Sequence, residues 1–235
     1  MTHFSYLPSA VLVLALSCCV TAAEPNKLTA EESATGWKAL FDGETTAGWV
    51  GIGSTTFPAK GWSVKEGALH HEAGAGGGDI VTEKTYLNFE LVWEWRLAKG
   101  GNSGVKYNLP NPAKAVGFEY QMLDDLGHSD GAKASHQTAA LYDLIEPAPD
   151  RKTKPAGEWN QSRLLVDGNH VEQWLNGSRT VVFEIGSPEL LERVAKSKYS
   201  KTKDFGLKTA SLILIQDHGG ELDVRSAKLR ELPAK

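Results

Sequence analysis

Residues 86–98 read YLNFELVWEWRLA, and the alternation in this run restricts the chain more than any other feature. Phe89, Leu91, Trp93, Trp95 and Leu97 fall on one parity, and Asn88, Glu90, Glu94 and Arg96 on the other. Successive side chains of a strand point to opposite faces, so the period predicts a strand with one face in a core. Shorter runs of the same kind recur between glycines and asparagines: WKALFDG, GWSVKEG, ALHHE, DIVTEK, SGVKYNL, GFEYQML, TAALYDL, EWNQSRLLVDG, HVEQWLNG, RTVVFEI, ASLILIQD and LDVRSAKLREL. Between two of them, Asp167-Gly168 predicts a hairpin turn with positive φ. SPELLERVAKSKY is the one convincing helix, with Ser187 as N-cap, Pro188 in the first position and Glu189 at the positive end of the helix dipole. About a dozen short strands, one short helix and no βαβ alternation predict an all-β sandwich. No repeat or linker divides the chain, so one domain is expected over residues 36–233, after a loose polar lead-in at 24–35. Residues 127–140 and 146–160 read as long loops, where function often sits.

Of the 235 residues, 41% are hydrophobic and 23% charged, the profile of a soluble globular chain. The net charge of -4, with lysines and acids interspersed, leaves no basic stripe for nucleic acid and no polybasic anchor for a membrane. The first two dozen residues differ. PSAVLVLALSCCVTAA is apolar, too short to span a bilayer, and ends in small residues. It predicts a secretory signal peptide over residues 1–23, with Val20 and Ala22 or Thr21 and Ala23 at the cleavage site. The missing basic n-region departs from that pattern; a retained anchor and a lipoprotein acylated at Cys18 are the alternatives. Cys18 and Cys19 are the only cysteines. Cleavage would leave an exported protein, periplasmic or on the outer surface of a bacterium, with no membrane span and no disulfide, resting on its core alone.

Three polar clusters are candidates for a site. GGNSG at 100–104 sets Asn102 and Ser103 between glycines ahead of Lys106, either for close backbone approach or as a plain turn. GFEYQMLDD at 117–125 sends Phe118, Tyr120 and Met122 to a core. Glu119 and Gln121 then face either water or a polar trough suited to a carbohydrate, while Asp124 and Asp125 cap a turn or hold a cation. SLILIQDHGG at 211–220 is a buried strand ending in Gln216, Asp217 and His218, where an aspartate beside an imidazole can orient it and tune its basicity. A polar turn is the competing reading there. His70 and His71 alternate faces, and His128, His136, Asp124 and Asp125 converge only through loop folding, so any metal site lacks a signature. No Walker loop, zinc motif or nucleophile elbow is present.

With LFDGETTAGW, WSVKEGAL, FELVWEWRLAKGGNSGVKY, FEYQMLDD, ALYDLI, PAGEWN, VEQWLNG and LIQDHGG in this order, the chain resembles the 3-keto-disaccharide hydrolase family over about residues 37–232. The resemblance implies a concanavalin A-like jelly-roll β-sandwich, usually exported, acting on small-molecule carbohydrates oxidised at carbon 3. A C3 ketone makes the C2 proton acidic. A base removes it, the aglycone leaves C1 by β-elimination, and water adds back across the double bond. The matching positions are Asn102, Ser103, Lys106, Glu119, Gln121, Asp124, Tyr142, Glu158, Gln216, Asp217 and His218. On this reading His218 moves the proton, with Asp217 as its orienter or a second acid, and Glu119 is the runner-up base. Lys106, or a bound divalent cation, stabilises the enediolate. Gln121, Asn102 and Gln216 bind sugar hydroxyls, Tyr142 or Trp62 stacks on the ring, and Ser103, Asp124 and Glu158 complete the binding set. Val224-Arg225-Ser226 departs from the family's Phe-Arg-Asn and leaves Arg225 as a site or structural arginine. The rival reading is a non-catalytic carbohydrate-binding module, since the same sandwich needs no tuned base to hold a sugar.

Overall fold

A computed structural model describes residues 24–233, so the expected signal peptide lies outside the described residues. Its strands, in chain order, are β1 (Lys38–Ala39), β2 (Trp49–Gly51), β3 (Trp62–Lys65), β4 (Ala68–His71), β5 (Ile80–Thr82), β6 (Phe89–Leu97), β7 (Asn102–Tyr107), β8 (Phe118–Leu123), β9 (Asn160–Asp167), β10 (His170–Leu175), β11 (Ser178–Glu184), β12 (Leu214–Ile215) and β13 (Leu222–Glu231). Two short α-helices accompany them, α1 (Ala30–Ala34) and α2 (Pro188–Lys196). One sheet has the order β11-β10-β9-β6-β13-β4-β3 with β1 paired to β13; the other runs β2-β5-β12-β7-β8. The pairings are antiparallel, and the two sheets face each other as a jelly-roll β-sandwich.

The parity of residues 89–97 places Phe89, Leu91, Trp93, Trp95 and Leu97 in the core. From the opposite sheet, β7 and β8 send in Val105, Tyr107, Phe118, Tyr120 and Met122. Each such side chain taken from water contributes roughly 1.5–3 kcal/mol, so this interlayer dominates stability. Its polar tips are satisfied internally. Trp95 Nε1 donates to Ser162 Oγ at 2.8 Å, Ser162 to Tyr120 OH at 2.8 Å, and Tyr120 to the Trp174 carbonyl at 3.1 Å. The Tyr120 ring also meets Trp93 edge-on at 4.9 Å.

Local signals act where they were expected, with small displacements. Ser187 Oγ caps α2 through Leu190 N, and Pro188 opens the helix. The β9–β10 turn is Gly168-Asn169, one residue later than expected, with the positive φ of 63° on Gly168. TAALYDL forms no strand, because Ala139 and Asp143 adopt φ of 64° and 63° and Leu141 makes only isolated bridges. Of SLILI only Leu214 and Ile215 join a ladder, since the Thr82 hydroxyl takes the Ile213 N–H at 3.0 Å. The lead-in is ordered rather than loose: Thr29 and Glu32 form a capping box on α1, and Asn26 Nδ2 donates to the Gly67 carbonyl. Three-residue β2, ending in glycine, gave too short a pattern to find. Among the described residues no helix is long and apolar enough to cross a membrane.

Candidate active site

Register builds the site. Within the β7–β8 ladder Lys106 lies opposite Glu119, and Gly104 opposite Gln121. Cross-strand partners share a face, so these side chains leave the sandwich together on the side away from the core. That face is not open to water. The segment after β8 folds back along the free edge of that strand, with Tyr142 N donating to the Glu119 carbonyl and Ala139 N to that of Gln121, and this brings Tyr142 to the side of the face. Residues 198–202, beyond α2, complete the wall. The result is a cleft of about 320 Å³ lined by polar Asn102, Lys106, Glu119, Gln216 and His218, with Tyr142, Lys198 and Tyr199 among its other walls.

Glu119 forms the floor, only 5% exposed. Burial pushes its carboxyl above the ordinary range, and the Lys106 and Lys198 charges pull it part of the way back. Lys106 Nζ stands 3.5 Å from Glu119 Oε2 and donates to the Ala115 carbonyl at 3.2 Å. With its amide oriented by its neighbours, Gln121 donates to Glu119 Oε1 and to the Ser103 carbonyl, each at 3.2 Å. Gly104 makes this possible: a Cβ there would stand 2.7 Å from Glu119 Oε1 and 2.9 Å from its Cγ.

Lys198 faces Glu119 from the other wall. Burial lowers its pKa and the Glu119 charge opposes that shift. Its ammonium lies 4.1 Å from the centre of the Tyr142 ring and 5.1 Å from that of Tyr199. Among the described residues no carboxylate pairs with it, so its N–H groups remain free for a bound oxygen. Gln216 Oε1, likewise on the cleft wall, is buried without a hydrogen-bond partner among the described residues. His218 stands exposed at the mouth, its ring 6.2 Å from that of His128.

Glu119, Lys106, Asn102, Gln216, Tyr142 and His218 are thus brought together. Gln121 and Ser103 sit behind them, fully buried, with Ser103 Oγ donating to the Gln216 carbonyl at 2.8 Å. The remaining expectations separate. Asp217 does not orient His218: its carboxylate accepts from Gly78 N at 3.0 Å and Gly219 N at 2.8 Å and faces His71 Nε2 at 3.1 Å. The charges of His218 and Lys106 act on two carboxylates, Glu119 and Asp79, both of which burial pushes upward. Asp124 caps the turn through Gly100 N at 2.8 Å and lines a separate cleft of about 460 Å³ with Trp95 and Arg151. Glu158 is exposed in a loop outside both clefts. Trp62 is buried, bonded to the Gly78 carbonyl at 2.8 Å, and offers no platform to a sugar. Arg225 is structural, paired with Glu94 at 2.7 Å and stacked 4.0 Å over Trp159. Among the described residues no three His, Cys, Asp or Glu side chains converge as a metal site. Lys198 and Tyr199 escaped the sequence reading because SPELLERVAKSKY carries them as the last turn of the expected helix, whereas α2 stops at Lys196 and releases them to the cleft wall.

Comparison with known proteins follows the same outline. The model of a family described as a 3-keto-alpha-glucoside-1,2-lyase-like domain matches residues 36–230. A 3-keto-disaccharide hydrolase of Bacteroides thetaiotaomicron is 29% identical across 94% of this chain and 87% of its own. Two Parabacteroides distasonis proteins of known crystal structure, provisionally assigned as glycosyl hydrolases, share the fold. One superposes with a TM-score of 0.80 at 32% identity over 89% of this chain and 100% of its own. The other gives 0.65 at 25% identity over 83% and 99%.

Proposed function

The chain belongs to the 3-keto-alpha-glucoside-1,2-lyase-like family of carbohydrate-active enzymes, and on that premise we propose that it cleaves the C1–O bond of glycosides bearing a ketone at C3, with Glu119 as the base. The observation that carries this reading is the buried Glu119 carboxylate between two ammonium groups, one of them unpaired. A carboxylate pushed upward by burial is a better match to a weakly acidic carbon proton than an exposed one.

In the first step Glu119 takes the C2 proton. The C–H electrons form the C2=C3 double bond, and the ketone oxygen becomes an enediolate oxyanion. Lys198, whose donors are free, and Lys106 supply the positive charge that the oxyanion requires. The enediolate then collapses: C3=O reforms, C1=C2 forms, and the C1–O bond breaks. His218 at the mouth gives the departing oxygen its proton. Water adds to C1 and gives up a proton to His218, and Glu119 returns its proton to C2, which restores both groups and closes a net hydrolysis. Gln216 Oε1 and Asn102 accept and donate to sugar hydroxyls, and Tyr142 forms part of the wall against the ring. These roles exchange the order expected from the sequence, in which His218 stands first as base.

Glu119→Gln preserves the shape and removes the base. It should lose at least about a hundredfold in turnover of a 3-keto-glycoside while retaining its melting transition. His218→Ala should cost more with poor leaving groups than with good ones. Full activity in Glu119→Gln together with loss in His218→Ala for every leaving group would return the base role to His218.

A further inference from the structure

A second cleft, of about 500 Å³, adjoins the candidate active site and shares Val116 and Thr202 with it as a common wall. Three of its lining residues are lysines, Lys114, Lys201 and Lys203, and its one acid is Asp204. None of the three lysines forms an ion pair among the described residues. Around a third cleft nearby, Lys133, Arg193 and Lys196 are each paired, with Asp143, Glu189 and Glu192. Like charges held around one cavity repel, and that repulsion is relieved by a bound anion.

The walls are set independently of any ligand. Asn108 Nδ2 donates to the Leu207 carbonyl at 2.8 Å and its Oδ1 accepts from Thr209 N at 2.9 Å, tying one side of the cleft to the other. The 111–114 turn is closed on itself by Asn111, which accepts from Ala113 N at 2.9 Å and Lys114 N at 3.1 Å. Together the two clefts present five lysines against two carboxylates, in a chain whose net charge is -4. The positive field is therefore local.

Resting on the activity proposed above, we infer that this second cleft receives the leaving group and selects aglycones that carry an anionic substituent, a carboxylate, sulfate or phosphate. A glycoside whose sugar ring lies over Glu119 must direct its aglycone out through one of the cleft's openings, and the shared Val116–Thr202 wall leads to the lysines. Attraction by exposed lysines is screened by salt, so the selection weakens as ionic strength rises.

The test compares the 3-keto-glucosides of 4-hydroxybenzoate and 4-hydroxybenzamide, which match in shape and differ in charge. The wild type should favour the carboxylate in kcat/KM by about tenfold at low ionic strength. That preference should fall with added salt and vanish in K114Q/K201Q/K203Q. It should survive in K38Q/K65Q/K84Q, which removes equal charge from lysines lining neither cleft. Equal kcat/KM for the two substrates, or a preference that the first triple variant leaves intact, overturns the inference. A second arm measures calorimetric binding of the unoxidised parent glucosides, which carry no ketone. Turnover of neither keto-glucoside would sink the proposed activity. The binding arm then decides the cleft alone: tighter binding of the carboxylate, lost in K114Q/K201Q/K203Q, supports it, and indifference overturns it.

Discussion

Replacing Gly104 by alanine adds one methyl group to the floor of the cleft. That methyl carbon would stand 2.7 Å from Glu119 Oε1, 2.9 Å from Cγ and 3.2 Å from Cδ. Comfortable contact begins at about 3.5 Å, so the carboxylate must retreat by roughly 0.8 Å. The retreat cannot be absorbed by a swing of the carboxylate end alone, because Cγ is itself too close and the side chain is buried between Lys106 and Gln121. A base displaced by that much loses about a hundredfold in rate, equivalent to about 2.7 kcal/mol in the barrier. Stability should change less. Alanine in a strand gains about 0.5–1 kcal/mol over glycine, and overpacking costs about 1–3 kcal/mol. The net loss is at most about 2.5 kcal/mol, a fall in Tm of less than about 10 °C for a chain of this size. Steady-state kinetics on a 3-keto-glycoside beside a thermal melt separates the two effects. Turnover within threefold of wild type in Gly104→Ala, with Glu119→Gln inactive, would refute the claim that the seat of the carboxylate over Gly104 matters.

Other residues give shorter tests. Because burial raises the folded pKa of Glu119, its contribution to stability is complete below the unfolded pKa of about 4.3 and is lost as pH rises through the folded value. Melting temperatures of wild type and Glu119→Gln should therefore diverge in favour of the variant as pH rises from about 4 to 7, and parallel curves would contradict the shift. Lys198→Met keeps a long side chain over the Tyr142 ring but removes the free ammonium; kcat should fall by about a hundredfold with little change in Tm, and an unaffected kcat would exclude Lys198 from oxyanion binding. Asp143 resists the upward pull of burial and is held at about 2 by Lys133, His136 and the Lys198 N–H, which it accepts at 3.1 Å. Its stabilisation is present above the unfolded pKa of about 3.9 and is lost as pH falls toward 2. Asp143→Asn should accordingly melt below wild type at pH 6, converge with it near pH 2, and lower kcat by about tenfold through a loosened Lys198; a constant Tm gap across that range would count against the assignment.

What the sequence determined by itself is what acts over a few residues. The parity of residues 89–97 and of 118–122 settled which side chains enter the core, because a strand offers only two faces. Ser187-Pro188 marked the start of α2, because a cap answers to the N–H groups of one turn. The same parity put Glu119 and Gln121 together on the outer face, but could not say what covers that face. Tertiary structure decided this by folding residues 139–142 along β8 and bringing Lys198 across from beyond α2. Register placed Lys106 against Glu119, and the space over Gly104 set the carboxylate between them. Adjacent in sequence, Asp217 and His218 part company because Asp217 meets better partners in the Gly78 and Gly219 N–H groups and His71. Burial and register are properties of the whole chain, and the raised pKa of Glu119 exists only once distant segments have excluded water from around it.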